Sequence, residues 1–172
     1  QTEKVSWDFV DHDIFYMDQN PYGRPEFCFY HQGSLNTEYS SKNTELVLSA
    51  FQKLNEEFPK EVRLIITVNV INSQGSSIIN ESNITIYTQT LSRREIANIY
   101  SITDCVVAPS SKEGLGLSLF EAQACGCDLI TTDAPPMNAH QTKYLCKVDN
   151  FKKEKTLVPI AELTIDSVYE QM

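Results

Sequence analysis

Asp104-Cys105-Val106-Val107-Ala108-Pro109-Ser110-Ser111-Lys112-Glu113-Gly114-Leu115-Gly116-Leu117-Ser118-Leu119-Phe120-Glu121-Ala122 decides how the rest of this chain is read. The run up to Ala108 is short and apolar, the composition of a parallel strand buried on both faces. Leu117, Phe120 and Ala124 then recur at helical spacing until Gly126, a residue suited to the position just past a helix end. The segment is therefore strand, loop, helix. Gly114 and Gly116 stand where loop becomes helix, and the first N–H groups of a helix lack intrahelical partners. A phosphate suits that place, because the amides and the helix dipole both favour an anion. Glu113 sits at the mouth of the loop and Glu121 two turns into the helix. Carboxylates repel phosphate, so these two call for neutral hydroxyl partners, such as those of a sugar or a ribose. A phosphate flanked by two hydroxyl-reading carboxylates describes a nucleotide-sugar. The plainer alternative is a capped core helix with two incidental glutamates, and the glutamate spacing by itself would not displace it.

Bulk properties narrow the class. At 172 residues the chain is one domain's worth, long enough for a proper core. Hydrophobic content of 41% with only 6 Gly and 7 Pro describes an ordinary folded protein. A net charge of −9 argues against nonspecific nucleic-acid binding and against a basic membrane-surface patch. It also means that an anion site must rest on local groups. Five cysteines, an odd number without paired spacing, do not make a disulfide framework. Cys28, Cys105 and Cys125 fall in apolar runs, where a thiol behaves as a small hydrophobe. Cys125-Gly126-Cys127 suggests zinc only weakly, since nearby histidines are too few to complete a site. No apolar run is long enough to span a membrane and no signal peptide is visible.

Glu113-Gly-Leu-Gly-Leu-Ser-Leu-Phe-Glu121 resembles the E-x7-E motif of retaining GT-B glycosyltransferases, especially family 4. The likeness extends to P-S-x-x-E-G before it and to E-A-x-A-C-G-C-D-L-I-T-T-D after it, where the family usually has E-A-x-A-x-G-x-P-V-I. The resemblance implies that Glu113 holds the donor sugar, with the amides of Gly114, Leu115, Gly116, Leu117 and Ser118, and that Glu121 binds the ribose. Phe9-Val10-Asp11-His12-Asp13-Ile14-Phe15 resembles the G-V-D-x-x-x-F linker into the second domain, with Phe9 in place of Gly. Residues 1–26 are accordingly expected to be an interdomain entry segment, and residues 27–172 a nucleotide-sugar-binding C-terminal domain whose N-terminal partner lobe is absent from this chain. Asp11 and Asp13 alternatively form a D-x-D metal motif of the GT-A type, but no GT-A pattern follows them.

The remaining elements fall in order. Glu26 to Gln32 predicts a strand ending at Gly33, followed by a polar loop to Lys42. By resemblance Gly33 and Ser34 border the donor diphosphate, where Ser34 replaces the family's Arg, and Lys42 reaches the diphosphate. The spacing from Asn43 to Phe58 predicts an amphipathic helix stopped by Pro59. Strands are predicted at Val62–Val68 and Ile84–Tyr87, separated by a polar loop over Asn69–Asn80. Tyr87 and Thr88 are expected near the base. Ser92-Arg93-Arg94-Glu95 is a capping box, which puts both arginines on a solvated first turn. Asp128–Thr132 is a further strand, and Ala134–His140 a tight loop with Ala139 where relatives often carry Glu. His140 is read as a surface or helix-start residue. Cys146–Val148 is the expected last strand, Phe151–Thr156 a basic loop and Thr164–Met172 a helix. The two N-x-S/T sequons at Asn80 and Asn83 are read as chance.

Strands alternating with helices give an α/β fold, a Rossmann-like doubly wound parallel sheet forming one lobe of a GT-B enzyme. Gly33, Lys42, Glu113 and the loop 134–140 would meet at the strands' C-terminal ends. The resemblance implies transfer of a hexose from a nucleoside diphosphate sugar to an unidentified carbohydrate, lipid or protein acceptor, without a metal or other cofactor and with Glu113 and Lys42 in the catalytic roles. Other readings are a degenerate nucleotide-binding module and a GT-B-like sugar-nucleotide epimerase. Free thiols and the lack of a signal lead to an expected cytoplasmic location, with any membrane contact left to the absent lobe.

Overall fold

The computed structural model describes residues 10–17, 25–34, 41–68, 78–81, 83–152 and 159–172. Phe9 of the linker motif, residues 35–40 of the first polar loop, residues 69–77 of the second, Ser82 of the first sequon and the basic loop beyond Lys152 lie outside them. β1 (Phe27–Gly33) leads into α1 (Thr44–Glu57) and β2 (Val62–Val68), and β3 (Ile78–Glu81) and β4 (Ile84–Tyr87) precede α2 (Arg93–Tyr100). β5 (Cys105–Ala108), α3 (Leu117–Ala124) and β6 (Asp128–Thr132) follow, then a single 3-10 turn at Met137–Ala139 and β7 (Tyr144–Cys146). β8 (Asn150–Lys152), β9 (Ile160–Glu162) and α4 (Ile165–Tyr169) complete the chain.

Seven strands form one sheet in the order β3-β4-β2-β1-β5-β6-β7. All neighbours are parallel except β3, which runs antiparallel to β4. Without β3 this is the doubly wound order. The chain builds outward from β1 through β2 to β4, returns over α2, and starts again at β5 on the other side of β1.

Strand alternation explains why both faces are covered. Phe29, Leu64, Ile66 and Val107 belong to one layer with Val47, Ala50, Phe51 and Leu54 of α1 and Val168 of α4. Their neighbours Cys28, Tyr30, Ile65 and Val106 belong to the other, with Ala97 and Tyr100 of α2 and Leu119 and Ala122 of α3. Side chains alternate across a strand, so a continuous apolar run needs two covering layers. Phe15 of the entry segment is fully buried in the second layer, its ring centroid 6.0 Å from that of Tyr100. Ser92 Oγ accepts from Glu95 N–H while the Glu95 carboxylate accepts from Ser92 N–H at 2.7 Å, the capping box expected at the start of α2.

The edges depart from expectation. β3 falls inside the expected polar loop, as a turn through Asn83 (φ 67) folds Ile78–Glu81 back along β4. Ile78 and Ile79 are both exposed there, so the segment carries no burial pattern to announce it. The last strand of the sheet is Tyr144–Cys146 and not Cys146–Val148, because Tyr144 and Cys146 pair with Ile130 and Thr132. Asn150–Lys152 opens no loop but pairs antiparallel with Ile160–Glu162.

Asp104 fastens β1 to β5 at the strands' entry end. Its Oδ2 accepts from Cys28 N–H at 2.7 Å, its own N–H donates to Cys28 O at 2.9 Å, and its carbonyl accepts from Asp128 N–H at 2.9 Å. Asp104→Ala strands the Cys28 amide, which should cost about 1–3 kcal/mol. Urea unfolding should show that loss, and hydrogen exchange should accelerate at Cys28 more than at Leu64.

Candidate functional site

The two loops that leave β1 and β5 are sewn together where the winding reverses. Asn43 starts α1 in the left-handed conformation (φ 54), and its Nδ2 donates to Pro109 O at 2.7 Å. Ser111 N–H donates to Ser41 O at 2.7 Å. Between these, Lys42 Nζ pairs with Glu113 Oε1, which also accepts from Ser110 Oγ at 2.8 Å. Three successive residues of one loop thus hold the other. Both bonds to Glu113 fall on Oε1, which leaves Oε2 as the acceptor that a ligand can use. Ser110 is buried, so this tether stands on a fixed base.

Behind the loops lies a buried polar relay that the sequence reading missed. His31 is fully enclosed, with Nδ1 2.7 Å from Val107 O and Nε2 3.0 Å from Thr44 Oγ1. A carbonyl can only accept, so Nδ1 carries the proton and the Thr44 hydroxyl donates to Nε2. The same Thr44 Oγ1 accepts from Ser34 N–H at 3.0 Å. His31 therefore ties the exit of β5 to the exit of β1 through one hydroxyl. A Cβ on Gly33 would stand 2.8 Å from Thr44 Oγ1 and 3.2 Å from His31 Cδ2, so the position has no room for a side chain. Burial holds His31 down to about 4, against the pull of the Val107 carbonyl and with help from the charge of Lys42. No periodicity marks this residue, because its partners, Thr44 and Val107, come from two other segments.

α3 opens at Gly116 (φ 68), which lets the chain turn and leaves the first amides of the helix facing the loop. Tyr100 OH donates to Ser118 O at 3.1 Å and fixes the first turn from below. A Cβ on Gly114 would meet nothing, and Leu115 and Leu117 are exposed at the same mouth. His140 is not on the surface as expected. The 3-10 turn swings it inward, to 8% exposure, where its ring lies 4.4 Å from that of Phe120.

Glu121 meets Arg93 across the second layer, Oε1 to Nη2 at 3.2 Å, so its Oε2 too is left open. Burial raises the Glu121 carboxyl and Arg93 opposes that rise. The Arg93 guanidinium also lies 5.2 Å over the Phe15 ring, so it does more than decorate a solvated turn. Arg93 and Arg94 are both exposed, as expected. Tyr87 ends β4, two strands from β1, and packs against the second layer, and Thr88 follows it. They share the edge with the site but are not joined to it by any of the bonds above. Ala139 is exposed in the 3-10 turn.

Asp11 caps a turn, with Oδ1 accepting from Asp13 N–H at 3.2 Å and its carbonyl accepting from Phe15 N–H at 2.8 Å. Among the described residues no three His, Cys, Asp or Glu side chains gather as a metal would require. Burial pushes the Cys105 and Cys146 thiols up to about 12, which keeps them inert at neutral pH. No helix among the described residues is long and apolar enough to cross a membrane.

A model of the glycosyl transferases group 1 family matches residues 29–153. Among solved structures, the C-terminal domain of the group 1 glycosyl transferase LpcC from Francisella tularensis superimposes with a TM-score of 0.58 at 21% identity, over 73% of this chain and 71% of that one. The pneumococcal O-GlcNAc transferase GtfA, in complex with UDP and GlcNAc, gives 0.59 at 20% identity over 91% of this chain and 29% of that one. The GtfA/B complex gives 0.63 at 18% identity, over 92% and 30%. These likenesses show the fold, that of a lobe of a GT-B glycosyltransferase. This chain spans less than a third of the length of the matched chains in these last two structures. None of the curated proteins matches it.

The His31 relay has a signature in pH. An unfolded histidine titrates near its ordinary value of 6.5 and this one near 4. The relay's full stability is therefore present above about pH 6.5 and is lost as pH falls toward 4, by on the order of 3 kcal/mol. Urea unfolding at pH 7.0 and 4.5 should show a smaller difference for His31→Gln than for the parent chain.

Proposed function

Because this chain belongs to the glycosyl transferases group 1 family, we propose that it is the donor-binding lobe of a retaining transferase that moves a hexose from a nucleoside diphosphate sugar. The observation that carries the reading is the sewing of the loops after β1 and β5 at the reversal of the winding, where open sheets of this kind bind ligands. Gly33 and Ser34, held from behind by Thr44, form the floor beneath the diphosphate. Lys42 and the amides from Gly114 to Ser118 meet its charge. They would also stabilise the charge that grows on the leaving diphosphate, as fixed donors that need no reorganisation. Glu113 holds sugar hydroxyls through Oε2, and Glu121 holds the ribose in the same way. Tyr87 and Thr88 border the base.

In this reading the Lys42–Glu113 pair solves a conflict within the pocket. A free carboxylate ~4 Å from a phosphate oxygen would cost about 4 kcal/mol at an effective dielectric of 20. With Lys42 against Oε1 the carboxylate is neutralised on the phosphate side and open on the sugar side. Glu113 then orients the sugar, and catalysis rests on placement as much as on proton transfer. Charge neutralisation by Lys42 and the amides leaves no step that calls for a metal. The acceptor site belongs to a second lobe of the same polypeptide, so the present chain binds donor and turns over little.

A second reading is a nucleotide-binding module without transferase activity. Ser34 in place of Arg favours it, since the diphosphate then meets one cation, and that cation is shared with Glu113. Calorimetric titration of the chain with UDP, GDP, ADP and their hexose conjugates separates the two. A transferase lobe should bind one diphosphate and hold its sugar conjugate more tightly, with that increment lost in Glu113→Gln. A bare module should show no increment. Lys42→Met and Glu121→Ala should each weaken binding by roughly 10- to 100-fold, the worth of one charge-assisted bond. Failure of every nucleotide to bind would overturn both.

A further inference from the structure

We propose that His140 is a donor-positioning residue, whose Nε2–H reaches an oxygen of the donor diphosphate at the amino end of α3. The inference rests on the donor-site reading and extends it to a residue outside the glutamate pair. Its ring is held on one face by Phe120, at 4.4 Å between centroids. Its Nε2 lies against Gly116, 3.3 Å from where a Cβ would stand, so the bare backbone of Gly116 makes room for it. Nδ1 is buried, and neither ring nitrogen has a hydrogen-bond partner among the described residues.

A proton on Nδ1 would be a buried donor with nothing to receive it, a costlier fault than an idle lone pair. The proton therefore sits on Nε2, beside Gly116 and the open amides of the first turn. The imidazole N–H is then a donor at the start of α3, where the amides of Leu117 and Ser118 lack intrahelical partners. Donors gathered at a helix start fit an anion rich in acceptor oxygens, which in this pocket is the diphosphate, and the nearby Glu113 carboxylate is already engaged by Lys42 and Ser110. Burial lowers His140 while the nearby Glu113 charge opposes this, which favours the neutral ring at neutral pH. It also offers the diphosphate a further contact where Ser34 provides no cation.

Two substitutions of like size test the assignment. Gln at 140 reaches as far as Nε2, whereas Asn reaches only as far as Nδ1. Titrated with UDP, GDP, ADP and inorganic pyrophosphate, His140→Asn should bind at least about tenfold more weakly and His140→Gln within about threefold of the parent chain. With only 3 histidines, 15N-histidine labelling reads the parent chain directly. The bound diphosphate should shift the Nε2 signal of His140 and leave that of His31 in place. Equal binding by parent and His140→Asn, equal losses in Asn and Gln, or an unmoved His140 signal would each overturn the assignment and leave the donor-site reading standing. Absence of binding by the parent chain would overturn both.

Discussion

The parallel pairing of β1 with β5 is the constraint on which the site depends. It consists of only two residue pairs, Phe29 with Cys105 and Tyr30 with Val106. Side chains extend it in both directions. Asp104 clasps Cys28 at the entry end, His31 grips the Val107 carbonyl further along, and Asn43 reaches Pro109 beyond the last strand residues. The seam then continues past the sheet as Ser41 with Ser111 and Lys42 with Glu113. A doubly wound sheet always parts its loops at the reversal, one set turning left and the other right. Here the parted loops are pulled back together by polar contacts, so the crevice has a fixed floor.

A common device governs both glutamates. Each has one oxygen tied to a cation of the protein, Glu113 to Lys42 and Glu121 to Arg93, and the second oxygen untied. A tethered carboxylate loses little freedom when it takes a hydroxyl, because its rotamer is already chosen. The partner cation also lowers the repulsion that a bare carboxylate would present to a phosphate in the same pocket. Arg93 lies over Phe15 as well, so the segment that enters the domain touches the group that holds Glu121. Placement of one glutamate is in this way linked to the packing of the entry segment.

Much of this was legible in the sequence where a signal is local. The run from Asp104 to Ala122 shows a buried strand and a glycine-opened helix within one window, and the structure has both in register. Ser92 and Glu95 announce their capping box from three residues apart. What was illegible depends on pairing across the chain. Lys42 and Glu113 are 71 positions apart, and each was assigned a ligand of its own when they first hold one another. His31 looked like one more strand residue, since only the fold brings Thr44 and Val107 to its two nitrogens. His140 looked exposed because a short polar loop gives no sign of which residue its turn drives inward. The edge strands β3 and β8 escaped because their apolar residues face water, and alternation is written into a sequence only where one face is buried.

Charge explains why so much of the site is built from dipoles. With a net −9 the chain repels an anion at a distance, and Lys42 at the seam is already half engaged with a carboxylate. The long-range field is screened within roughly 10 Å in ordinary salt, whereas amides at a helix start act only within the first turn. Attraction at short range and repulsion beyond it make a site that selects by fit. In the proposed site an anion would gain nothing from arriving near the molecule, and would gain its contacts only when its oxygens meet the amides of α3 and the Lys42 ammonium together. On the proposed donor-site reading, such a site discriminates against polyanions that bind by charge alone and leaves recognition to hydroxyls held by Glu113 and Glu121.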